Sequence, residues 1–523
     1  MSDKRRFFKH TLIFGVGGAI GQLVPFLLLP LYTNYLTPAE YGILDVIYMA
    51  SIVITTVFLM GGIRMAAMTF YKQAENEEAR RRIAITISLL LWFFIAGAIT
   101  AAIVFIDYLE FFLKTGEKKI LMFGLTVILL EALYTVPMTL TQARLESLRF
   151  VLINLTREFF RLVLCIYFVA GLEWGIWGFL YAHAIVVVVF GIYLTCRELW
   201  IGSLYPDTTK WKELLLFCLP LVPSGLLSFI YMSSGRVAVL HIGPYESTAA
   251  LGAVGIYALA KRLMEASKLM GVTPMLQVWT AEMYDVYKKP EAPYVFGNFV
   301  LRLLCVQTFA VLLISVFSME IVRTLSATDF HEAASLIPLF GLYTMLALFV
   351  QQMNKTFFIT RKTNYSLFCI VCRVPFVLLF IYLFVPRWGI MGAVIAYILA
   401  YVISVGIVYY FSQRLFRVRY PFGRMAILLT ITILCYLLSL LCGNGIELNT
   451  MTPEEFAKLS RWEKIADAWD RIRWLSNIAK VGIMFLWGVL IWFSGALLQE
   501  DKALAVRVFK KGLKMGTRSR SGR

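Results

Sequence analysis

WGIWGFLYA at residues 174–182 returns 214 residues later as WGIMGAVIA at residues 388–396. Each copy sets a tryptophan and a glycine ahead of a long apolar run. An indole prefers the membrane–water boundary, and glycine lets the chain turn tightly into a helix. The matching continues outward. CIYFVAGLEWGI (165–176) compares with LFIYLFVPRWGI (379–390), and at an offset of 213 Gly42-Ile43 falls on Gly255-Ile256 and Tyr71 on Tyr284. One nearly constant frame, with the same order of apolar spans between the matches, argues that spans one to six and seven to twelve are two copies of one six-helix unit. Six is even, so both copies enter the membrane from the same side, and their pseudo-symmetry axis is expected along the membrane normal.

Composition agrees with a membrane chain. Of the 523 residues 60% are hydrophobic and only 16% charged, and apolar stretches of about 20 residues, each able to cross a ~30 Å hydrocarbon core as a helix, recur along the sequence. About fourteen can be placed. The expected fold is therefore all-α and integral to the membrane: a six-helix lobe at residues 1–200, a pseudo-symmetric second lobe at 201–420, and an extra helix pair with a basic tail at 421–523. A charged loop is expected at 445–474. The first span, near residues 11–32, follows KRRFFKH and is read as a retained helix rather than a signal peptide.

Roughly two thirds of the 50 Lys and Arg fall on one set of loops and tails, including Arg80 to Arg82 and the C-terminal RVFKKGLKMGTRSRSGR, as the positive-inside rule expects if both termini are cytoplasmic. The formal charge of +18 then reports topology. Nucleic-acid binding is set aside, because the basic residues are dispersed over short loops beside apolar spans. The eight cysteines lie in apolar spans, and Cys369 and Cys372 form a C-x-x-C that reads as helix packing rather than a metal or redox site. The run GVGGAIG at Gly15 to Gly21 follows no strand, so it reads as close helix packing rather than a nucleotide loop. No nucleophile with its base, paired-carboxylate site or phosphate loop is visible, and neither an enzyme nor a cofactor is expected.

Charges at membrane depth are the candidate functional residues, since each costs about 2.5–3.5 kcal/mol to insert and is expected to face protein or a water-filled cavity. Arg157 and Arg161 share one face of span five. Arg373 lies at a matching depth in span eleven, and Lys261 forms a stripe with Glu265 and Lys268 on span eight, with Arg262 alongside. Arg64 and Arg236 lie nearer to span ends, where long side chains reach the interface. These seven cations are expected to line a cleft that binds an anionic substrate. The competing reading makes them structural pairs, Arg157 or Arg161 with Glu158 and Lys261 with Glu265. Asp45 and Glu131 are candidates for coupling to H+ or Na+, or for fixed partners of a neighbouring arginine.

Three stretches carry a resemblance. PFLLLPLYTNYLTPAEYGILDV (25–46), GIYALAKRLMEASKLMGVTPML (255–276) and RWGIMGAVIAYILA (387–400) are similar to the opening, the eighth helix and the twelfth helix of the Wzx-type polysaccharide flippases. That family belongs to the multidrug/oligosaccharidyl-lipid/polysaccharide (MOP) superfamily, which also holds multidrug antiporters and the lipid II flippase. The resemblance implies a protein of the bacterial cytoplasmic membrane that flips a polyprenyl-pyrophosphate-linked glycan by alternating access, for O-antigen, capsule or exopolysaccharide synthesis. Its implied partners are the bilayer, a polysaccharide polymerase and chain-length machinery. Two extra C-terminal spans resemble the lipid II flippase, where such a pair helps to form a groove for the lipid tail. The alternatives are an efflux antiporter for organic cations, for which a dominant buried carboxylate is expected, and an integral membrane glycan polymerase or ligase, which needs a large outer loop.

Overall fold

A computed structural model describes residues 28–497 apart from 59, 145, 202–205, 208–209, 220, 270, 361, 363 and 445–462. Gly15 to Gly21, most of the first expected span and the basic C-terminal tail lie outside the described residues. Among those described there are helices and turns but no strand. The helices are α1 (Leu29–Tyr35), α2 (Pro38–Val57), α3 (Met60–Gln73), α4 (Glu77–Val104), α5 (Ile106–Leu113), α6 (Lys118–Leu130), α7 (Ala132–Ala143), α8 (Ser147–Cys165), α9 (Gly175–Ile201) and α10 (Lys210–Cys218). They continue with α11 (Leu221–Ile242), α12 (Ser247–Glu265), α13 (Val272–Tyr287), α14 (Ala292–Val316), α15 (Ser318–Leu325), α16 (Ala333–Ile359), α17 (Asn364–Leu415), α18 (Phe422–Asn444) and α19 (Glu463–Phe493).

Nine helical stretches among the described residues are long and apolar enough to cross a membrane. One of them, α17, is two helices joined at Gly389. Neither α8 nor α12 is among the nine, because Arg149, Arg157, Glu158 and Arg161 interrupt the first and Lys261, Arg262 and Glu265 the second. These two helices carry four of the candidate residues, Arg157, Arg161, Lys261 and Arg262, whereas Asp45, Glu131, Arg236 and Arg373 lie within stretches among the nine. Expected span four is also broken, at Glu131, where α6 ends and α7 begins. Of the loop expected at 445–474, residues 445–462 lie outside the described residues and the chain from Glu463 onward is helical; EKIADAWDRIRW holds neither glycine nor proline to stop it.

The start of α2 shows how a motif becomes geometry. In T-P-A-E the Thr37 hydroxyl accepts from the Glu40 amide at 3.2 Å, while the Thr37 amide donates to Glu40 Oε2 at 2.9 Å. Pro38 occupies the first helical position, where its missing N–H costs nothing.

The two W-G-I-x-G copies fold alike. Gly175 and Gly389 both take φ of +52°, the left-handed region open to glycine. Trp174 stacks on Phe168 with centroids 5.3 Å apart, and Trp388 on Phe384 at 5.2 Å. The second glycine of each copy lets a backbone pass: a Cβ at Gly178 would strike the Phe168 carbonyl, and one at Gly392 the Phe384 carbonyl. Before the first copy the chain makes a π-helical turn, Ile166–Gly171.

Chain contacts group into two compact units. The first comprises the chain through Arg262 with Val322–Leu336 and Asn364–Ser404; the second comprises Leu263–Ile321, Ile337–Thr363 and the chain from Val405. In the first unit α2 and α12 cross at glycine. A Cβ at Gly42 would overlap the Leu251 carbonyl and stand 3.1 Å from Gly255 N; one at Gly255 would overlap the Pro38 carbonyl and stand 3.0 Å from Gly42 N. Each glycine thus meets the carbonyl four residues before the other, a reciprocal contact between positions related by the 213-residue offset.

In the second unit α18 and α19 pack on α14 and on each other. The apolar window of α14 is 67% buried against 28% for α18, so α14 is the core helix and α18 its cover. Trp487 Nε1 donates to Thr432 Oγ1 at 2.9 Å, Trp487 lies against Phe309, and Lys480 forms an ion pair with Glu320. Trp487→Ala removes a large apolar side chain and leaves Thr432 without that donor. It is expected to destabilise the protein by about 3–5 kcal/mol, measured as thermal unfolding in detergent.

Candidate functional site

All nine candidate residues fall in the first unit. They do not act as one block of free positive charge, because several acids stand among them. Arg157 on α8 places Nη2 2.5 Å from Glu131 Oε1 and Nη1 3.6 Å from Glu158 Oε1. Its guanidinium lies over the Tyr134 ring, 4.0 Å from the centroid, and the Tyr134 hydroxyl donates to Asn154 Oδ1 at 3.0 Å. Arg161 pairs with Glu158 one turn earlier. Arg236 on α11 places Nε 2.7 Å from Asp45 Oδ2 on α2. Both acids singled out from sequence, Asp45 and Glu131, therefore hold an arginine.

Arg262 on α12 is half-buried, with Nη1 3.4 Å from the Tyr41 hydroxyl. Lys261 beside it is also half-buried, Glu265 is exposed, and Arg64 stands exposed on α3. Arg373 differs from the other arginines. Among the described residues no carboxylate lies within ion-pair distance of it; two rings hold it instead, Tyr231 at 4.0 Å and Tyr401 at 4.9 Å from its guanidinium carbon. Its Nε is buried and makes no hydrogen bond. Tyr397, from the same helix as Tyr401, accepts from the Gly235 amide at 3.0 Å and fixes α11 against this pair of rings.

Two groups of this unit escape a reading by sequence. His183 on α9 places Nε2 2.9 Å from Glu131 Oε2, so Glu131 joins three helical segments. The signal was a lone histidine in an otherwise apolar span, since an ionisable group at membrane depth is by default functional. The second is a network at the α7 and α9 C-termini. Glu198, fully buried, takes two hydrogen bonds from Arg144 at 2.7 and 2.5 Å and one from Arg197 at 3.2 Å. Arg197 also reaches Glu146 at 2.6 Å, and Arg144 Nε donates to the Tyr71 hydroxyl at 3.2 Å. Burial works against the Arg144 cation, but the hydrogen bonds and charge of Glu198 outweigh it and raise its pKa above the ordinary guanidinium value. An open groove of about 560 Å³ lined by Lys118, Lys119, Phe123 and Trp177 contains none of the candidate residues.

Long apolar helices and a doubled helix–turn unit define a multi-pass membrane protein. The polysaccharide biosynthesis protein family matches residues 7–280, more than half of the chain, and the chain belongs to that family. The fold is shared with solved transporter structures. A lipid II flippase MurJ in an inward closed conformation superposes with a TM-score of 0.65 at 13% identity, covering 92% of this chain and 99% of its own. An inward-facing multidrug resistance MATE family transporter gives 0.61 at 16% identity, covering 75% and 94%. A MOP superfamily transporter from Pyrococcus furiosus Vc1 gives 0.54 at 16%, covering 78% and 95%. These are a flippase and transporters, not enzymes, in keeping with a sequence that shows no catalytic constellation. No curated protein sequence matches the chain.

Proposed function

We propose that the chain flips a polyprenyl-pyrophosphate-linked oligosaccharide across the bacterial cytoplasmic membrane for surface polysaccharide synthesis. Two six-helix lobes, residues 1–200 and 201–420, alternate between inward-open and outward-open states, with both termini in the cytoplasm and the helix pair of 421–523 beside them. A polymerase and chain-length machinery then receive the glycan outside. Membership of the polysaccharide biosynthesis family supports the substrate class. In this orientation α2 and α12 begin at the outer face, so the Gly42–Gly255 crossing closes the outer end.

The observation that carries the anion reading is Arg373, a guanidinium held by rings and by no acid among the described residues. Its remaining N–H donors match phosphate oxygens, which Arg can engage in parallel pairs. Lys261 and Arg262 complete the cationic surface, whereas Arg157, Arg161 and Arg236 position acids. An organic cation finds the reverse of what it needs, because Asp45, Glu131 and Glu158 each already hold an arginine.

The test is transport of a defined polyprenyl-pyrophosphate sugar in proteoliposomes. Arg373→Ala and Arg373→Glu are expected to lower flipping at least tenfold, the scale of a lost charge-assisted hydrogen bond of about 1.5–3 kcal/mol, with Arg373→Lys retaining part of it. Protein abundance should hold, since no carboxylate is stranded. Normal flipping by Arg373→Glu would remove the anion site from this residue.

A further inference from the structure

Lys118, Lys119, Met122, Phe123 and Thr126 follow one another down α6 at helical spacing and line the 560 Å³ groove of the first unit. At 1.5 Å per residue they span about 12 Å. Ile103 lines the groove from the end of α4, Ile106 from the start of α5, and Trp177 from the first turn of α9. The Trp177 ring lies 5.8 Å from Phe123 and stacks on Tyr181 at 5.9 Å. The lining is sorted along α6. Both cations stand at its start, and the side chains that follow are apolar except for one threonine.

No acid lines this groove. Lys118 is paired with Asp107 of α5, and Glu110 is turned into its own loop, where it accepts from the Thr115 hydroxyl and, at 2.6 Å, from the Gly116 amide. Lys119 is exposed and in no ion pair among the described residues. Beside it α5 presents Tyr108 and Phe111, 74% and 83% exposed. Rings so open, next to the end of a membrane-length helix, belong at the level of the lipid headgroups. Contacts hold α5 there: Lys114 Nζ donates to Leu240 O at 3.1 Å, and Phe112 lies against His241 with centroids 4.9 Å apart. The two copies of the repeat differ at this place. Trp177 is the variable position of W-G-I-x-G, and its counterpart is Met391; at the offset of 213, Lys119 falls on Glu332, an exposed acid. Cation and ring come together in the first copy alone.

We propose that the groove holds one anionic phospholipid, with its phosphate at Lys119 and Lys118 and an acyl chain along Met122, Phe123 and Trp177. That the lipid comes from the outer leaflet rests on the orientation given with the transport reading above. The order of the lining selects the occupant. A free phosphate would use the lysines and leave the apolar length of α6 against water, and a hydrocarbon would leave the lysines without an anion. A glycerophospholipid carries its charge at one end and its chain at the other, in the same order as α6. A zwitterionic lipid offers the same phosphate but brings a cation of its own beside the lysines, so a net negative headgroup is favoured. The lipid would touch α4, α5, α6 and α9 at once, and its binding would stabilise the fold of the first unit.

The full-length protein in detergent is loaded with phosphatidylglycerol or with phosphatidylcholine, and native mass spectrometry counts the lipids each chain keeps. One phosphatidylglycerol is expected to stay bound where phosphatidylcholine is lost, and to raise the unfolding temperature. Retention should fall about fivefold in Lys119→Ala, the scale of one lysine at an anionic headgroup, and further in Lys119→Glu. Trp177→Ala should also lower it. Lys119 is exposed and pairs with nothing in the fold, so its variants should unfold at the wild-type temperature when no lipid is added, which separates lost binding from lost folding. The proposal is overturned if phosphatidylcholine is kept equally well, or if Lys119→Glu still keeps phosphatidylglycerol. It is also overturned if glycerol phosphate, which has no chain, displaces the lipid at equal concentration, because the site would then be one for phosphate alone. The measurement uses no glycan. A chain that keeps phosphatidylglycerol as expected but flips no glycan strikes at the flippase reading and leaves the lipid site standing.

Discussion

Gly42→Leu and Gly255→Leu are each expected to abolish glycan export while the protein remains in the membrane. At both positions a side chain is driven into a backbone carbonyl of the partner helix, Leu251 or Pro38, and backbone cannot swing aside as a flexible side chain can. Overpacking of this kind costs about 1–3 kcal/mol, enough to shift an equilibrium between closed and open ends by about ten- to a hundredfold. The penalty falls only on the state in which α2 and α12 touch, so folding is largely spared and the cycle is not. A graded series is the informative design: alanine should cost less than leucine at either glycine, and labelling of a cysteine introduced at Asn34 should rise as export falls. Wild-type export from either leucine variant would show that the crossing is no gate.

Glu198→Ala should have the opposite signature, loss of the protein itself. Glu198 is fully buried and receives Arg144 through two hydrogen bonds and Arg197 through a third. Taking one partner from a buried ion pair strands the others and costs about 3–5 kcal/mol, a large fraction of a typical folding free energy. Abundance and unfolding temperature should both drop. Replacing the pair together, as Arg144→Met with Glu198→Leu, should recover much of the loss because no charge is left without a partner. If Glu198→Ala lowers transport while abundance and melting stay unchanged, the network has a part in the cycle and is not a fixture of the fold.

These two results separate what was legible in the sequence from what was not. The helices were readable because apolar runs of membrane length have few other uses, and the pentads because a left-handed glycine after an interfacial tryptophan is a local requirement that repeats wherever the same turn repeats. Whether Arg157 was free was not readable. Its partner Glu131 lies 26 residues away on another helical segment, and which faces of α6, α7 and α8 meet is a property of packing. The local pairing foreseen for Arg161 with Glu158 needed only helix periodicity, and it is present. A single imidazole such as His183 becomes notable only once an acid from another segment is seen against it. Residue by residue the network at Glu198 looks like ordinary charged helix ends; burial gives it its weight.

Arg373 differs from Arg157 in how quickly it can be engaged. A phosphate arriving at Arg157 must first displace Glu131 and Glu158, an exchange of one anion for another with the barrier that bond breaking sets. At Arg373 the guanidinium lies against Tyr231 and Tyr401, and a phosphate bound there as proposed would have no carboxylate among the described residues to evict. On the proposed function, capture at Arg373 would be limited by diffusion and desolvation, whereas engagement of Arg157 would wait on the exchange of an ion pair.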